Sequence, residues 1–168
     1  MTISLEETFN LAVQNHKKNN LKIAENLYNE ILKKNPNYVG ALNNLGILYN
    51  QFGNNQKAMD CYEKAILINP NHVDAHNNLG ILYNQFGNNQ KAIECYEKAI
   101  LINPNHVDSR NNLGNIFKKL GKNKKAIDCY EKAIQINPNH VDAQNNLGIL
   151  YNQFGNNQKA INCYDKVI

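Results

Sequence analysis

Residues Asn43–Gln56 read NNLGILYNQFGNNQ, and the same letters return at Asn77–Gln90 and at Asn145–Gln158. A looser copy, NNLGNIFKKLGKNK, fills Asn111–Lys124, so the step between copies is always 34 residues. The flanks keep that step. Ala58, Ala92, Ala126 and Ala160 align, as do Tyr62, Tyr96, Tyr130 and Tyr164, and Pro36, Pro70, Pro104 and Pro138. A fixed period of this length marks a stacked array of one supersecondary unit. The expected organisation is a single array over 1–168, with units 5–38, 39–72, 73–106, 107–140 and a shortened 141–168.

Each unit predicts two helices. In Val73–Phe86 the apolar residues Ala75, Leu79, Leu82, Tyr83 and Phe86 fall on one helical face. Gly87 ends that helix, because glycine accepts the left-handed conformation of a C-terminal cap. A second helix follows Asn88-Asn89, its apolar face carrying Ala92, Ile93, Cys95, Tyr96, Ala99 and Ile100, and Pro104 stops it. Asn105 is expected to cap the next helix, with Asp108 as its capping-box partner. Gly46, Gly80, Gly114 and Gly148 lie mid-helix, where glycine costs roughly 1 kcal/mol against alanine. Close approach of the paired helices is the expected reason.

One antiparallel pair cannot bury its apolar face, whereas five in a row share a core. The fold class is all-α. The first unit is degenerate: Ala12 stands for the glycine, Ile31 for an alanine, and Lys17-Lys18-Asn19 for the Gln-Phe-Gly turn. Such a terminal repeat reads as a cap.

Composition narrows the function classes. Hydrophobic content is 42%, charge only 19%, and the net charge of +4 is too mild to argue for nucleic acid or an acidic membrane. The amino terminus carries Glu6 and Glu7 and lacks a long apolar core, so it is not a signal peptide, and no apolar run spans a bilayer. A cytoplasmic protein is expected.

Cys61, Cys95, Cys129 and Cys163 recur once per unit at one place on the second helix. Neighbouring helices pack roughly 8–10 Å apart, beyond the roughly 7 Å reach of a disulfide, so these read as small buried side chains. His72, His106 and His140 also recur singly and read as loop residues. No phosphate loop, nucleophile motif or carboxylate pair is present, so no catalytic residue, metal or cofactor is expected. On the second helices, Asp60–Lys64, Glu94–Lys98 and Asp128–Lys132 predict four-apart ion pairs on a solvated face.

A second stripe on each first helix carries the functional signal. Asp74, Asn77, Asn78, Ile81, Asn84 and Gln85 lie at helical spacing opposite the buried face. The chain as a whole resembles the tetratricopeptide repeat family from Leu5 to Ile168. Leu79-Gly80, Tyr83, Gly87, Ala92, Tyr96, Ala99 and Pro104 carry the signature and recur at the 34-residue step, with Phe117 for the tyrosine in the fourth unit. One departure precedes Leu-Gly by three, where the family often has an aromatic residue and this chain has Leu42, His76, Arg110 and Gln144.

The resemblance implies a right-handed solenoid of helix pairs and a non-enzymatic scaffold that binds a protein or peptide in a concave groove lined by the first helices. Asn10, Asn44, Asn78, Asn112 and Asn146 would form a ladder there, flanked by Asn43, Asn77 and Asn111. A carboxamide donates to and accepts from a peptide group at once. Ile47, Ile81 and Ile149 would add apolar contact between rungs. This arrangement, with the run HVDAHNNLG, resembles the asparagine ladder in the repeat domain of O-GlcNAc transferase.

A carboxylate clamp for chaperone tails fits poorly: the matching places hold Asn43 and Ile47, then Asn78, then Asp108 and Asn112, so the Asn is kept but every cation is missing. Lys118, Lys119, Lys122, Lys124 and Lys125 make the fourth unit basic. Lys118 and Lys119 fall on the groove stripe, either as a solvated surface or as an anchor for an acidic side chain or phosphate. No aromatic platform for single-stranded nucleic acid accompanies them. The fifth unit stops at Val167-Ile168 inside its second helix, leaving two alternatives: a recognition arm of a larger transferase, or a scaffold that self-assembles through that end.

Overall fold

The computed structural model describes residues 3–165, which form ten helices and no strand. They are α1 (Leu5–Lys17), α2 (Leu21–Lys34), α3 (Val39–Gln51), α4 (Asn55–Ile68), α5 (Val73–Gln85), α6 (Asn89–Ile102), α7 (Val107–Lys119), α8 (Asn123–Ile136), α9 (Val141–Gln153) and α10 (Asn157–Tyr164). The boundaries follow the 34-residue register. Val167 and Ile168, on which the expectation of an open carboxyl-terminal face rests, lie outside the described residues. The chain divides within α5 into two compact units, Met1–Leu82 and Tyr83–Ile168.

In the first unit, α1 packs on α2 and α3 on α4, with α2 against α3. The core there is Ala12, Ala24, Tyr28, Ile31, Ala41, Leu45 and Leu48, continued by Leu42, Ala65 and Ala75. In the second unit α7 packs on α8 and α9 on α10, and α6 and α8 each meet the first helix that follows. Its buried residues are the same repeat positions, including Tyr96, Leu113, Ile116, Tyr130, Ala133, Leu147 and Leu150.

One kind of contact explains the mid-helix glycines Gly46, Gly114 and Gly148. A Cβ on Gly114 would lie 2.6 Å from the ring of Tyr130, and one on Gly46 would lie 2.5 Å from Tyr62. Tyr62 and Tyr130 therefore pack directly against the backbone of the partner helix at Gly46 and Gly114. At the turns, Gly87 takes φ 75°, and in the first unit Asn19 takes φ 61° in the glycine's place. Asparagine tolerates that conformation better than other residues with a side chain.

Four expectations need correction. Asn105 does not cap α7. Its backbone N–H donates to Asn103 Oδ1 at 3.0 Å, so it is part of the turn, and the helix begins two residues later. The cap is His106, whose Nδ1 accepts from the Ser109 backbone N–H at 3.2 Å. His72 and His140 do the same for Ala75 and Ala143, each at 3.1 Å. These histidines are helix caps rather than idle loop residues, and Asp108 accepts from His140 Nε2 at 3.3 Å instead of closing a capping box. His106→Ala is expected to cost about 1 kcal/mol and His106→Asn much less, read from thermal melting of the two variants.

Phe86 lies just beyond α5 and is 57% exposed, so it belongs to the turn and not to the apolar face. In the first repeat Leu11 is 43% exposed, while its counterparts Leu45 and Leu147 are 3% and 5% exposed. Ile3 and Ile23 are exposed as well. Of the four-apart pairs, Lys132 meets Asp128 at 2.8 Å. Asp60 and Glu94 accept instead from Gln56 and Gln90, each at 2.9 Å.

Candidate functional site

The first helices carry the asparagine stripe, and the structure separates its two columns. Asn43, Asn77 and Asn111 are buried. Asn44, Asn78, Asn112 and Asn146, one residue later, are half-buried, and Asn10 is exposed. A one-residue step turns a helix by about 100°, so one column points between helices and the next points outward. In the first unit, Asn78 Nδ2 on α5 donates to Asn43 Oδ1 on α3 at 3.1 Å, and Asn43 Nδ2 donates to Asn44 Oδ1 at 3.3 Å. In the second unit, Asn146 Nδ2 on α9 donates to Asn111 Oδ1 on α7 at 3.5 Å. The inner column thus ties neighbouring first helices together.

Ile47 and Ile81 are half-buried on the same stripe, and Ile149 is exposed. In the fourth repeat their place is taken by Asn115, whose Oδ1 accepts from the Tyr130 hydroxyl at 2.7 Å. The basic stretch does not act as one group. Lys118 is half-buried and donates to Asn146 Oδ1 at 2.8 Å, and Lys125 lies over the Phe117 ring at 5.4 Å. Lys119, Lys122 and Lys124 are exposed. The lysine-over-aromatic contact recurs at Lys57–Tyr49, Lys91–Tyr83 and Lys159–Tyr151, so Lys125 has a packing role common to the repeats.

Sequence reasoning did not foresee the use of the residue three before Leu-Gly. His76 Nε2 meets the Pro70 carbonyl at 2.9 Å, and Arg110 Nε and Nη2 donate to Pro104 O at 3.0 and 2.7 Å. Gln144 Nε2 donates likewise to Pro138 O. A polar side chain here satisfies a carbonyl in the turn that follows the preceding helix. The only available signal was that three of the four residues at this place are polar.

Cys129 is buried, and Cys61, Cys95 and Cys163 are half-buried. Burial, with a smaller contribution from the adjacent Asp60 or Asp128, pushes the Cys61 and Cys129 thiols up to about 11. That is the reverse of what a nucleophile needs. Among the described residues no three His, Cys, Asp or Glu side chains gather as a metal site, and no helix is long and apolar enough to cross a membrane. An open cleft of about 460 Å³ lies over Ile100, Leu101, Leu113, Phe117 and Cys129.

The tetratricopeptide repeat profile matches residues 39–72, 73–106 and 107–140, and a second profile of the same description matches 129–162. The chain belongs to the tetratricopeptide repeat family. No curated protein matches it significantly in sequence. Among solved structures it is similar to MamA, at 26% identity over 99% of this chain and 94% of that one, with a TM-score of 0.78. PilF of Pseudomonas aeruginosa matches at 18% identity over 96% and 74%, with a TM-score of 0.90. YrrB, described as a tetratricopeptide protein with an unusual peptide-binding site, matches at 23% over 97% and 84%, with a TM-score of 0.71. The tetratricopeptide helix pair thus extends through the whole array, and such repeats build protein-interaction scaffolds.

Proposed function

We propose that this chain is a non-enzymatic scaffold that captures an extended segment of a partner protein along its first helices. The observation that carries the reading is the division of labour between the two asparagine columns. Asn43 and Asn111 are committed to bonds between helices, and Asn77 is buried with them. The outer column, Asn10, Asn44, Asn78, Asn112 and Asn146, would then supply one rung per repeat, Asn78 and Asn146 donating to the inner column as well. Repeats spaced by a helix-packing distance of roughly 8–10 Å would meet about every third residue of an extended chain. Backbone groups are common to all peptides, so such rungs hold a strand without reading much of its sequence. Ile47 and Ile81 supply apolar contact beside the rungs, and Lys118 and Lys119 supply charge.

The choice of test variant follows from the bonds. Asn78→Ala would strand the buried Asn43 Oδ1, at about 1–3 kcal/mol, and so confuse binding with stability. Asn10 is exposed, and Asn44 accepts a long bond from Asn43 and lies beside the Tyr28 hydroxyl, so neither holds a neighbouring first helix. Selection from a displayed library of random 12-residue peptides should yield binders. Asn10→Ala with Asn44→Ala should then weaken those that reach the first two rungs by roughly tenfold, with melting nearly unchanged. Binders indifferent to Asn10, Asn44 and the other outer asparagines would place capture on a different face.

A further inference from the structure

We infer that His72 and His140 are acid-labile caps, which release the starts of α5 and α9 in mildly acidic solution, while Ser109 protects the start of α7. In both caps Nδ1 accepts a backbone N–H, from Ala75 at 3.1 Å and from Ala143 at 3.1 Å. A neutral imidazole has one accepting nitrogen, and a protonated one has none. Acid therefore takes away the acceptor, and it also sets a positive charge at the positive end of the helix dipole. Asparagine and serine, the usual capping residues, accept without titrating at all.

The fourth repeat differs at one atom. Ser109 stands where the other first helices carry Ala41, Ala75 and Ala143. Its hydroxyl is buried and lies 2.7 Å from His106 Nδ1, beside the backbone N–H that the same nitrogen accepts at 3.2 Å. A hydroxyl can donate to the neutral ring or, by rotating, accept from the protonated one. His106 thus keeps a partner for Nδ1 in either state, whereas His72 and His140 face an alanine.

The charges around the two labile caps do not undo the loss. Asp108 of α7 accepts from His140 Nε2 at 3.3 Å, but Nε2 carries its hydrogen in both states, and an exposed pair is worth little. At His72 the matching place on α3 is Gly40. Asp74 and Asp142 follow in the first turns of α5 and α9 and are exposed. The last four residues of α4 and α8, and the turns after them, carry no charge. His76, the other titratable group beside the first cap, meets the Pro70 carbonyl through Nε2, while α9 has Gln144 at that place.

A proton on either ring costs the fold a bond that the unfolded chain does not have. Stability therefore falls as pH falls through the histidine range around 6.5, while most carboxylates stay ionised down to pH 5. The turns that loosen run straight into Asn78 and Asn146, so acid slackens the face proposed for capture.

Thermal melting of the full chain between pH 7.5 and pH 5 tests the device. The parent should lose about 4–8 °C over that span, at about 2–4 °C for each cap. His72→Asn with His140→Asn keeps acceptors that do not titrate and should remove most of that loss. His140→Asn alone, in the helix without a second histidine, should remove about half of it. Ser109→Ala, the residue of the other repeats, should deepen the loss by about 2–4 °C. A double variant that loses as many degrees as the parent overturns the acid-labile caps. A Ser109→Ala protein with the parent's pH dependence overturns the protection of α7. Melting needs no ligand, so failure here and failure of the peptide selection are separate results.

Discussion

Tyr130→Ala should remove about 3–5 kcal/mol of stability, the cost of deleting a fully buried aromatic ring from a packed site. The ring is completely buried and rests on Gly114, where even one added carbon would come within 2.6 Å of it. Its neighbours along the second helix, Ala126 and Ala133, are too small to fill the space left behind. Tyr130→Phe keeps the ring and loses only the bond to Asn115, so it should cost nearer 1 kcal/mol. Gly114→Ala approaches the same contact from the other side and should cost about 1–3 kcal/mol through overpacking. Combined with Tyr130→Ala, the added methyl enters vacated space, and the two losses should sum to less than their separate values. Urea unfolding of the four variants reads all of this. A Tyr130→Ala protein within about 1 kcal/mol of the parent would mean the ring is not the spacer the geometry makes it.

Alkaline pH should destabilise the protein progressively from about pH 9 upward. Burial first, and an adjacent cysteine second, raises Tyr62, Tyr96 and Tyr130 far above the usual phenol range, and burial pushes the Cys61 and Cys129 thiols up to about 11. In the unfolded chain thiols release their protons near 8.5 and phenols near 10. Above those values the unfolded state holds fewer protons than the native one, so stability falls as pH rises. The loss should begin near pH 9 with the thiols and steepen beyond pH 10 with the tyrosines. Even after allowance for the partial exposure of the thiols, roughly 2 kcal/mol or more should be gone by pH 11. Urea midpoints at pH 7, 9 and 10.5 measure it, and Cys61→Ala with Cys129→Ala should flatten the first part of the curve. A midpoint unchanged from pH 7 to 10.5 would contradict the burial of these groups.

The fold was legible because the period did the work. Val39, Val73, Val107 and Val141 open first helices as the register requires, and Gly87 turns the chain where it was expected to. What stayed hidden depends on single-residue placement. Asparagine is a common cap, so Asn105 was the natural choice over His106, although the helix starts one position too late for it. Adjacent asparagines look alike in a sequence, yet 100° of helical rotation puts Asn43 between helices and Asn44 outside. Phe86 continued an apolar rhythm that the backbone had already left. The bonds from His76, Arg110 and Gln144 to proline carbonyls were masked because three dissimilar side chains do one job.

The ties between neighbouring repeats have a genetic consequence. Asn78 reaches Asn43 and Asn146 reaches Asn111 through the same pair of positions, and neither bond involves anything peculiar to its own repeat. A block of 34 residues could be excised or copied in register, and each surviving joint would find the partners it already uses. Nearly identical blocks are also the ones most prone to misaligned recombination. Such a gene can lengthen or shorten its product in whole units without a new core having to arise. Reach along a partner is then the trait most open to inheritance, and a break in the pattern such as Asn115 marks a copy that has begun to diverge.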